Sequence, residues 1–440
     1  MVDDVGPLSH SIPSMSAKGW DLYCLLRRFV KEDCMPAEAV FERELSSFDY
    51  IPPVLYALQD KAKSLGLWNI FLAEDLPNTD YARLCCLIGR SFLAPHATNT
   101  AAPDSGNMEV LSDHGSAAQK RRYLRRLADG QIRSAFLMTE REVASSDARN
   151  IRTEFVRGVR GGKEGYVVTG LKWWSTGAAD PRCDFFLVLG RVKEEGGGEG
   201  GRGKGKGKGD DGDGGGLALA APTLLLVPKR SKGVKVLRNL TVFGYDDAPF
   251  GHSEVSLDGV WVDKEDGLIK GEGEGFRVAQ GRLGRGRLHH CMRAVGLGER
   301  AFEAMLARSQ ARVAFGKKLA AHGMTMKKVA DARKNLECAR YLTLKCAEEI
   351  DRLGAKNSRG SISLAKYAVP SLISSIIDDA IQVHGGMGLC EDTFLSRGYA
   401  MVRSLRVADG PDEVHAAVIA KEEQTKEVRR RLRRRGVAKL

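Results

Sequence analysis

Two short segments of the chain combine small polar side chains with tryptophan in a pattern that suits a flat, polar ring with redox chemistry. The first segment covers residues 136–140 and is followed by serine and aspartate within residues 144–147. The second covers residues 172–177, where two tryptophans precede a serine and a threonine. Hydroxyl groups and backbone amides can hydrogen-bond the edge of a flavin, and an indole can pack on its face. These residues therefore predict a flavin site.

The order of these segments resembles that of the acyl-CoA dehydrogenase family. The family pattern is a Met-Thr-Glu run with a Ser-Asp downstream, and then Lys-Trp followed by a hydroxyl residue and Gly. The resemblance continues in family order through residues 312–317, 382–388 and 408–415, and it covers nearly the whole chain. It is nearest to the branch whose animal members fuse this dehydrogenase to a kinase-like domain.

The resemblance implies an enzyme that uses FAD to convert an acyl-CoA thioester into the trans-2-enoyl-CoA, as in fatty-acid β-oxidation. In the family, a carboxylate base removes a proton from the α-carbon, and flavin N5 accepts a hydride from the β-carbon. Hydrogen bonds polarise the thioester carbonyl, and the loss of one such donor costs about 10²–10³ in rate.

Asp409 matches the position of the base, where most family members carry Glu before Gly. Its side chain is one methylene shorter, and the nearest branch resembles this aspartate form. An apolar, water-poor pocket that raises its pKa toward neutrality would suit the role. By residue type alone, Asp409, Gly410 and Pro411 also form an ordinary turn sequence. Asp412 and Glu413 are alternative bases, although both also fit the negative charges favoured at the start of a helix.

The other site residues follow from the positions of the family motifs. Arg312 corresponds to the arginine that reaches the FAD pyrophosphate of a neighbouring subunit, and Arg287 to an arginine near the acyl-CoA carbonyl. Alternation along a strand would put Trp173 and Trp174 on opposite faces, so only one of them can line the flavin cleft. Trp174, with Ser175 and Thr176, is predicted to shield the flavin ring, and Trp173 to pack elsewhere. The residues predicted to contact FAD are Phe136, Leu137, Met138, Thr139, Ser145, Ser146, Trp174, Ser175, Thr176, Arg312, Phe315, Gln382, Gly385 and Gly386. The residues predicted to contact the substrate are Ser146, Arg287 and Gly410.

Hydrophobic periodicity predicts helices on both sides of a β region. Apolar residues at helical spacing fill the first part of the chain, and four long amphipathic stretches fill the last part. The predicted class is α+β and multidomain, as in the family. Its parts are an N-terminal helical domain (17–133), a central antiparallel β domain (134–264), a C-terminal four-helix bundle (275–434) and a tail (435–440). The amphipathic stretches are 276–313, 323–353, 361–384 and 411–434.

Within the β region, residues 255–257 and 260–262 are predicted to form a strand pair with Asp258 and Gly259 at the turn. A run of glycine, lysine and aspartate at 194–216 cannot bury enough apolar surface to fold, so it is predicted to be a disordered insertion. A phosphate-binding loop is not expected there, because the run lacks the framing strand, helix and Lys-Ser ending of such loops.

The net charge of +12 suits an anionic partner, and coenzyme A supplies one. Nucleic acid is not a predicted partner, because aromatic residues are not interleaved with the basic clusters. No metal site is predicted, since no C-x-x-C pair occurs among the nine cysteines. The neighbouring His289 and His290 are predicted near a helix entry, one facing inward and one outward. No transmembrane segment is predicted.

Residues 438–440 read Ala-Lys-Leu, a variant of the Ser-Lys-Leu peroxisomal address. A peroxisomal location and an import receptor are therefore predicted, ahead of the mitochondrion or the cytoplasm. The resemblance also implies a homodimer or homotetramer that passes electrons to an electron-transferring flavoprotein. Two alternatives stay open: an acyl-CoA oxidase that passes electrons to O₂, and a catalytically inactive interaction protein on the same fold.

Overall fold

The structure is a computed structural model that describes residues 15–73, 75–147, 150–193 and 221–434. The predicted glycine-rich insertion and the C-terminal Ala-Lys-Leu lie outside the described residues.

The chain divides into two compact units. Unit 1 comprises Met1–Glu44, Pro53–Thr100 and Arg287–Leu440, and unit 2 comprises Leu45–Pro52 and Ala101–Gly286. The predicted division into three domains stays a prediction.

Helices make up most of unit 1 and both ends of unit 2. In chain order they are α1 (Ala17–Phe29), α2 (Met35–Glu44), α3 (Pro53–Ser64), α4 (Asn78–Ile88), α5 (Ala94–Ala97), α6 (Asp104–His114), α7 (Ala117–Gln119), α8 (Arg125–Ala128), α9 (Lys264–Gly267), α10 (Gly275–Ala311), α11 (Gly323–Leu353), α12 (Arg359–His384), α13 (Leu395–Leu405) and α14 (Asp412–Arg434). One π-helical segment, Val30–Cys34, joins α1 to α2, and another, Lys120–Leu124, joins α7 to α8.

The long helices of unit 1 form where apolar residues recur every three or four positions. In α12 the buried residues include Val369, Ile373, Ile376 and Ala380, which share one face. The stretch Arg359–Gly388 is apolar and long enough to cross a membrane, but 56% of its most apolar 18 residues are buried in the protein. A buried core helix meets the same criterion.

Two glycines let α4 and α10 pack with their backbones in contact. A Cβ atom on Gly296 would lie 1.8 Å from the carbonyl oxygen of Cys86, and one on Gly89 would lie 2.0 Å from that of Arg293. Since no side chain fits at such distances, only glycine at these two positions permits the two backbones to come this close.

Strands make up the core of unit 2. They are β1 (Arg133–Leu137), β2 (Glu154–Arg160), β3 (Lys163–Thr176), β4 (Cys183–Lys193), β5 (Thr223–Pro228), β6 (Val234–Leu240) and β7 (His252–Asp263), and a short hairpin of β8 (Val313–Ala314) and β9 (Lys317–Lys318) lies in unit 1. The sheet order is β1-β4-β2-β3-β7-β6, with β5 also paired to β4.

The α+β fold is confirmed, but the sheet is mixed rather than antiparallel throughout. β4 pairs in parallel with both β1 and β2, while the remaining pairs of this sheet are antiparallel. Parallel neighbours need a long connection, and the β2–β3 hairpin lies between β1 and β4 in the chain. This non-local pairing leaves no mark in a strand's own sequence.

The predicted strand pair at residues 255–262 is wrong. β7 is one continuous strand, and Asp258 and Gly259 lie opposite the single residue Thr169. Gly259 has φ +61°, which a glycine adopts without strain. An Asp-Gly sequence therefore marks a β-bulge here rather than a hairpin turn.

Candidate active site

Asp409 occupies a strained turn between α13 and α14 of unit 1. Its φ is +57°, and that of the following Gly410 is +103°. A non-glycine residue in this region costs about 1–3 kcal/mol and persists only where its surroundings enforce it. Aspartate tolerates this conformation better than most residues do. The side chain is 23% exposed, so the carboxylate is within reach of a ligand but is not free in solvent.

Three buried or half-buried basic side chains hold the backbone of this turn. Arg287 Nε donates to the carbonyl oxygen of Asp409 at 2.8 Å. Lys366 Nζ donates to the carbonyl of Leu405, and it lies 3.4 Å from that of Gly410. His415 Nε2 lies 3.4 Å from the carbonyl oxygen of Asp409. Arg287 and His415 therefore hold the Asp409 carbonyl, and Lys366 holds the backbone on either side of it.

The same groups place Asp409 in a basic environment rather than a purely apolar one. Burial lowers the pKa of Arg287, although Asp409 opposes the shift. Burial also lowers the pKa of Lys366. The pKa of His415 is lowered to about 4, first by burial and then by the charges of Arg287 and Lys366. His415 is therefore a neutral imidazole at physiological pH.

His415 predicts a pH dependence of stability. Its folded pKa of about 4 lies below the ordinary 6.5, so the unfolded chain binds the proton first as the pH falls. We expect its contribution to stability to be complete above pH 6.5 and to be lost progressively toward pH 4. The thermal midpoint of His415→Gln should fall less steeply over this range than that of the wild type. Equal slopes for the two proteins would contradict this prediction, and His114→Gln controls for the loss of a histidine elsewhere.

His290 lies beside the carboxylate of Asp409. Its Nε2 is 3.5 Å from Asp409 Oδ2. His290 lies well within α10 and not near a helix entry, so that prediction is wrong. The neighbouring His289 packs its ring edge against Tyr81 at a centroid distance of 4.8 Å. His290 was not predicted as a site residue, because nothing in the local sequence links it to residue 409.

In unit 2, a buried ion pair anchors the first predicted flavin segment. Lys172 Nζ donates to Glu140 Oε1 at 2.8 Å and to the carbonyls of Met138 at 3.1 Å and Leu189 at 2.7 Å. The backbone N–H of Trp173 donates to the carbonyl of Thr139 at 3.0 Å. The end of β1 is thus tied to β3, which brings the two predicted flavin segments side by side.

A β-bulge determines the orientation of the two tryptophans. Trp173 and Trp174 together lie opposite the single residue Glu254, and Trp174 has φ +51°. Their rings pack edge to face with centroids 6.1 Å apart. The expectation that they lie on opposite faces is therefore wrong, because it assumed a regular strand. Trp174 is the more exposed of the two, at 39%.

The second segment also holds polar groups that the protein itself does not satisfy. Within the described part of the chain, Ser175 Oγ and Trp173 Nε1 are buried and have no hydrogen-bond partner. Thr176 Oγ1 lies 2.8 Å from His252 Nδ1, and the His252 ring is 5.3 Å from that of Trp174. Unmet hydroxyl and indole groups beside an exposed indole fit a polar, planar ligand such as a flavin.

The remaining residues predicted in unit 2 differ in exposure. Ser145 Oγ accepts from the backbone N–H of Glu140 at 2.9 Å, while Ser146 is exposed. Phe136 is half-buried, with the guanidinium of Arg282 over its ring at 4.3 Å, and Leu137 is fully buried. Leu137 therefore presents no accessible surface to a ligand.

The residues predicted to bind the adenosine and pyrophosphate lie in unit 1. Arg312 and Phe315 lie at the β8–β9 hairpin that follows α10, and Phe315 is 98% exposed with φ +51°. Gln382 is exposed at the end of α12, and Gly385, with φ +67°, caps that helix. Gly386 follows in a short 3₁₀ turn.

A carboxylate with a perturbed pKa lies in unit 2 and was not predicted. Burial raises the pKa of Glu109 to about 7, against the pull of Arg285, whose NH1 is 3.8 Å from Glu109 Oε1. Perturbed acids of this kind often mark functional sites. Among the described residues, no cluster of three or more His, Cys, Asp or Glu side chains could hold a metal ion.

Known proteins are similar to this chain in both sequence and fold. Residues 273–423 match the family model "Acyl-CoA dehydrogenase, C-terminal domain". A protein of Mycobacterium tuberculosis, probable acyl-CoA dehydrogenase FadE2, is 42% identical over 421 residues, which cover 94% of this chain and 97% of that protein. The chain belongs to the acyl-CoA dehydrogenase family. Its members are oxidoreductases, and their cofactor is FAD.

Other acyl-CoA dehydrogenase relatives define the extent of the match. Human acyl-CoA dehydrogenase family member 11 is 41% identical over 417 residues, which cover 92% of this chain but 50% of the human protein. The chain thus spans about half the length of that relative. A candidate acyl-CoA dehydrogenase from Mycobacterium abscessus superposes with a TM-score of 0.85 at 39% identity, covering 94% of this chain and 100% of that one. A glutaryl-CoA dehydrogenase of Mycobacterium smegmatis in complex with FADH₂ shares the fold, with a TM-score of 0.74 at 20% identity over 93% of this chain and 95% of that one.

Proposed function

We propose that this protein catalyses the FAD-dependent α,β-dehydrogenation of an acyl-CoA thioester to the trans-2-enoyl-CoA, with Asp409 as the base for the α-proton. The observation that carries the proposal is the strained turn of Asp409. Its φ of +57° is enforced by hydrogen bonds from buried groups, and its carboxylate stays partly accessible. A base must be held in place, and these contacts hold Asp409 while they leave its carboxylate accessible.

The residues of this chain would then have separate tasks. Asp409 takes the α-proton at a carboxylate oxygen, while Arg287 keeps its backbone in position through the 2.8 Å hydrogen bond to the carbonyl. The segments containing Thr139 and Thr176 would bind the flavin edge, and the exposed indole of Trp174 would shield one face. Bound FAD would supply the hydride acceptor at N5.

Assembly into a homodimer or homotetramer is part of the proposal. Phe315 is almost fully exposed in the single chain, next to Arg312 and Gly316 on a short hairpin. A phenylalanine exposed to this degree is easier to explain if a second copy or a bound FAD covers it. By the resemblance, Arg312 would reach the pyrophosphate of FAD in that second copy.

The purified protein should carry a flavin that acyl-CoA bleaches. We expect the visible spectrum to show bound flavin and anaerobic addition of butyryl-, octanoyl- and palmitoyl-CoA to bleach it to different extents. The most effective compound identifies the substrate class. A protein that neither contains nor takes up FAD, or whose bound flavin no acyl-CoA reduces, would refute the proposal. Salt-sensitive binding of nucleic acid in the absence of flavin would favour the interaction protein instead.

The alternative function is an acyl-CoA oxidase of the peroxisome. It is favoured by the sequence Ala438-Lys439-Leu440, which resembles a peroxisomal address. The usual electron-transferring flavoprotein is mitochondrial, so a peroxisomal enzyme would need another electron acceptor such as O₂. Both enzymes share the reductive half-reaction and differ in the acceptor. Stoichiometric hydrogen peroxide during aerobic turnover would identify the oxidase. Turnover that requires an added electron-transferring flavoprotein would identify the dehydrogenase.

A further inference from the structure

α10 carries three basic residues at helical spacing on the side that faces Asp409 in unit 1. Arg287, His290 and Arg293 are separated by three positions each, so successive side chains lie one above the other. Arg287 binds the backbone of Asp409, and His290 lies beside its carboxylate. The glycine contacts between α4 and α10 fix this part of α10.

The contact between Arg293 and His290 determines where the imidazole carries its proton. Arg293 NH2 lies 3.3 Å from His290 Nδ1, and a guanidinium nitrogen can only donate. His290 Nδ1 must therefore accept, which requires a lone pair on that nitrogen. The proton of the neutral ring is left on Nε2, and this is the nitrogen 3.5 Å from Asp409 Oδ2.

Arg293 is itself held in position. Its NH1 donates to the carbonyl oxygen of Thr100 at 3.0 Å. A protonated His290 would turn an N–H toward the Arg293 guanidinium and place two positive charges together. Arg293, held by Thr100, thus favours a lone pair on Nδ1, and the Asp409 carboxylate favours a proton on Nε2, so both neighbours favour a ring that donates through Nε2.

We propose that His290 is a positioning residue for the Asp409 base. Its Nε2–H donates to Oδ2 and stops the carboxylate from rotating, which leaves Oδ1 directed to accept the α-proton. The terminal torsion of aspartate is by itself broad and roughly two-fold, so a hydrogen bond to one oxygen favours one orientation. Orientation of this kind is worth up to about 10² in rate, and hydrogen bonds of a resting site often shorten when the substrate binds. The inference rests on the proposed function.

Two variants of His290 separate orientation from packing. In His290→Gln the amide N–H can replace Nε2–H, and in His290→Leu the volume is retained but the donor is lost. The assay is anaerobic flavin reduction by the acyl-CoA that reduces the wild type fastest, with its α-deuterated form alongside. We expect the limiting rate of His290→Leu to fall about 10- to 100-fold. Its acyl-CoA affinity and flavin spectrum should stay unchanged, and its α-deuterium isotope effect should rise. His290→Gln should recover most of the rate.

Two results would overturn the inference. One is a limiting rate of His290→Leu equal to that of the wild type, and the other is an equal loss in His290→Leu and His290→Gln. In either case a wild type that is still bleached by acyl-CoA shows that the proposed function itself stands.

A measurement without substrate keeps the inference testable even if no acyl-CoA is active. In the full chain labelled with ¹⁵N-histidine, the His290 resonances are assigned by their loss in His290→Leu. We expect the ring to be neutral with its proton on Nε2, and Arg293→Gln to weaken that preference. An Nδ1–H tautomer at neutral pH would exclude the proposed hydrogen bond, because Nε2 would then have no proton to donate to Asp409.

Discussion

Asp409→Asn is expected to yield a protein that keeps its flavin but is no longer reduced by acyl-CoA. Asparagine has nearly the same size and tolerates φ +57° at least as well as aspartate, so the turn should survive. The hydrogen bond from Arg287 is to the backbone carbonyl and is also retained. Only the basic oxygen is lost. Since a positioned base contributes 10²–10⁴ in rate, we expect flavin reduction to slow by about 10³-fold in anaerobic stopped-flow.

Three other carboxylates provide controls for this result. Glu109→Gln removes the acid whose pKa burial raises to about 7, and Asp412→Asn and Glu413→Gln remove the alternative bases that follow Asp409. Each should retain most of the reduction rate. If Asp409→Asn reacts at the wild-type rate while one of these variants does not, the base is the other residue. Asp409→Ala is a poorer test, because alanine at positive φ adds strain of its own.

The long helices were predictable because their buried faces repeat along the local sequence. The stretch predicted at 323–353 coincides with α11, Gly323–Leu353, and that predicted at 411–434 differs by one residue from α14, Asp412–Arg434. α13, Leu395–Leu405, was not predicted. It is short, and its sequence lies among motif residues that were interpreted for chemistry rather than for helical spacing.

The strands were predictable in composition but not in geometry. Strand composition marked parts of β3 and β7, yet both strands contain bulges that composition does not indicate, at Trp173 and Trp174 and at Asp258 and Gly259. A bulge arises when two strands of unequal residue count are paired, so it depends on the partner strand. The parallel pairing of β4 with β1 likewise depends on a distant part of the chain.

Asp409 and Arg287 could be proposed from the family motifs, whereas the contacts that support Asp409 could not. The contact from Arg287 to the Asp409 backbone joins residues 122 positions apart, and the buried pair Lys172–Glu140 joins residues 32 positions apart. Single basic or acidic residues are common in this chain. Only the tertiary fold places His290 beside Asp409 and shows that Lys172, although it lies in a family motif, is a buried cation rather than a solvated one.

Among the variants predicted here, Lys172→Met is expected to lower the free energy of unfolding most. The Lys172 side chain is fully buried and that of Glu140 is 5% exposed. The ammonium has three protons and three acceptors, so the charged form fits the site, even though burial lowers its pKa to about 8. Burial alone would raise the pKa of Glu140, but Lys172 and hydrogen bonds from Arg152 and Thr153 hold it below its ordinary value. Removal of the lysine leaves a buried carboxylate without its cation.

The expected loss is about 3–5 kcal/mol in the free energy of unfolding, because breaking one side of a buried ion pair leaves its desolvation uncompensated. FAD affinity should weaken as well, since Lys172 also binds the carbonyl of Met138 in the predicted flavin segment. The double variant Lys172→Met/Glu140→Gln removes both charges and keeps a side-chain oxygen that can accept from Arg152 or Thr153, so it should regain part of the stability without regaining the affinity. Urea unfolding and FAD titration measure the two effects separately. If Lys172→Met is as stable as the wild type, the ion pair does not stabilise this segment. If Lys172→Met and the double variant are equally destabilised, the loss comes from packing and not from the unpaired charge.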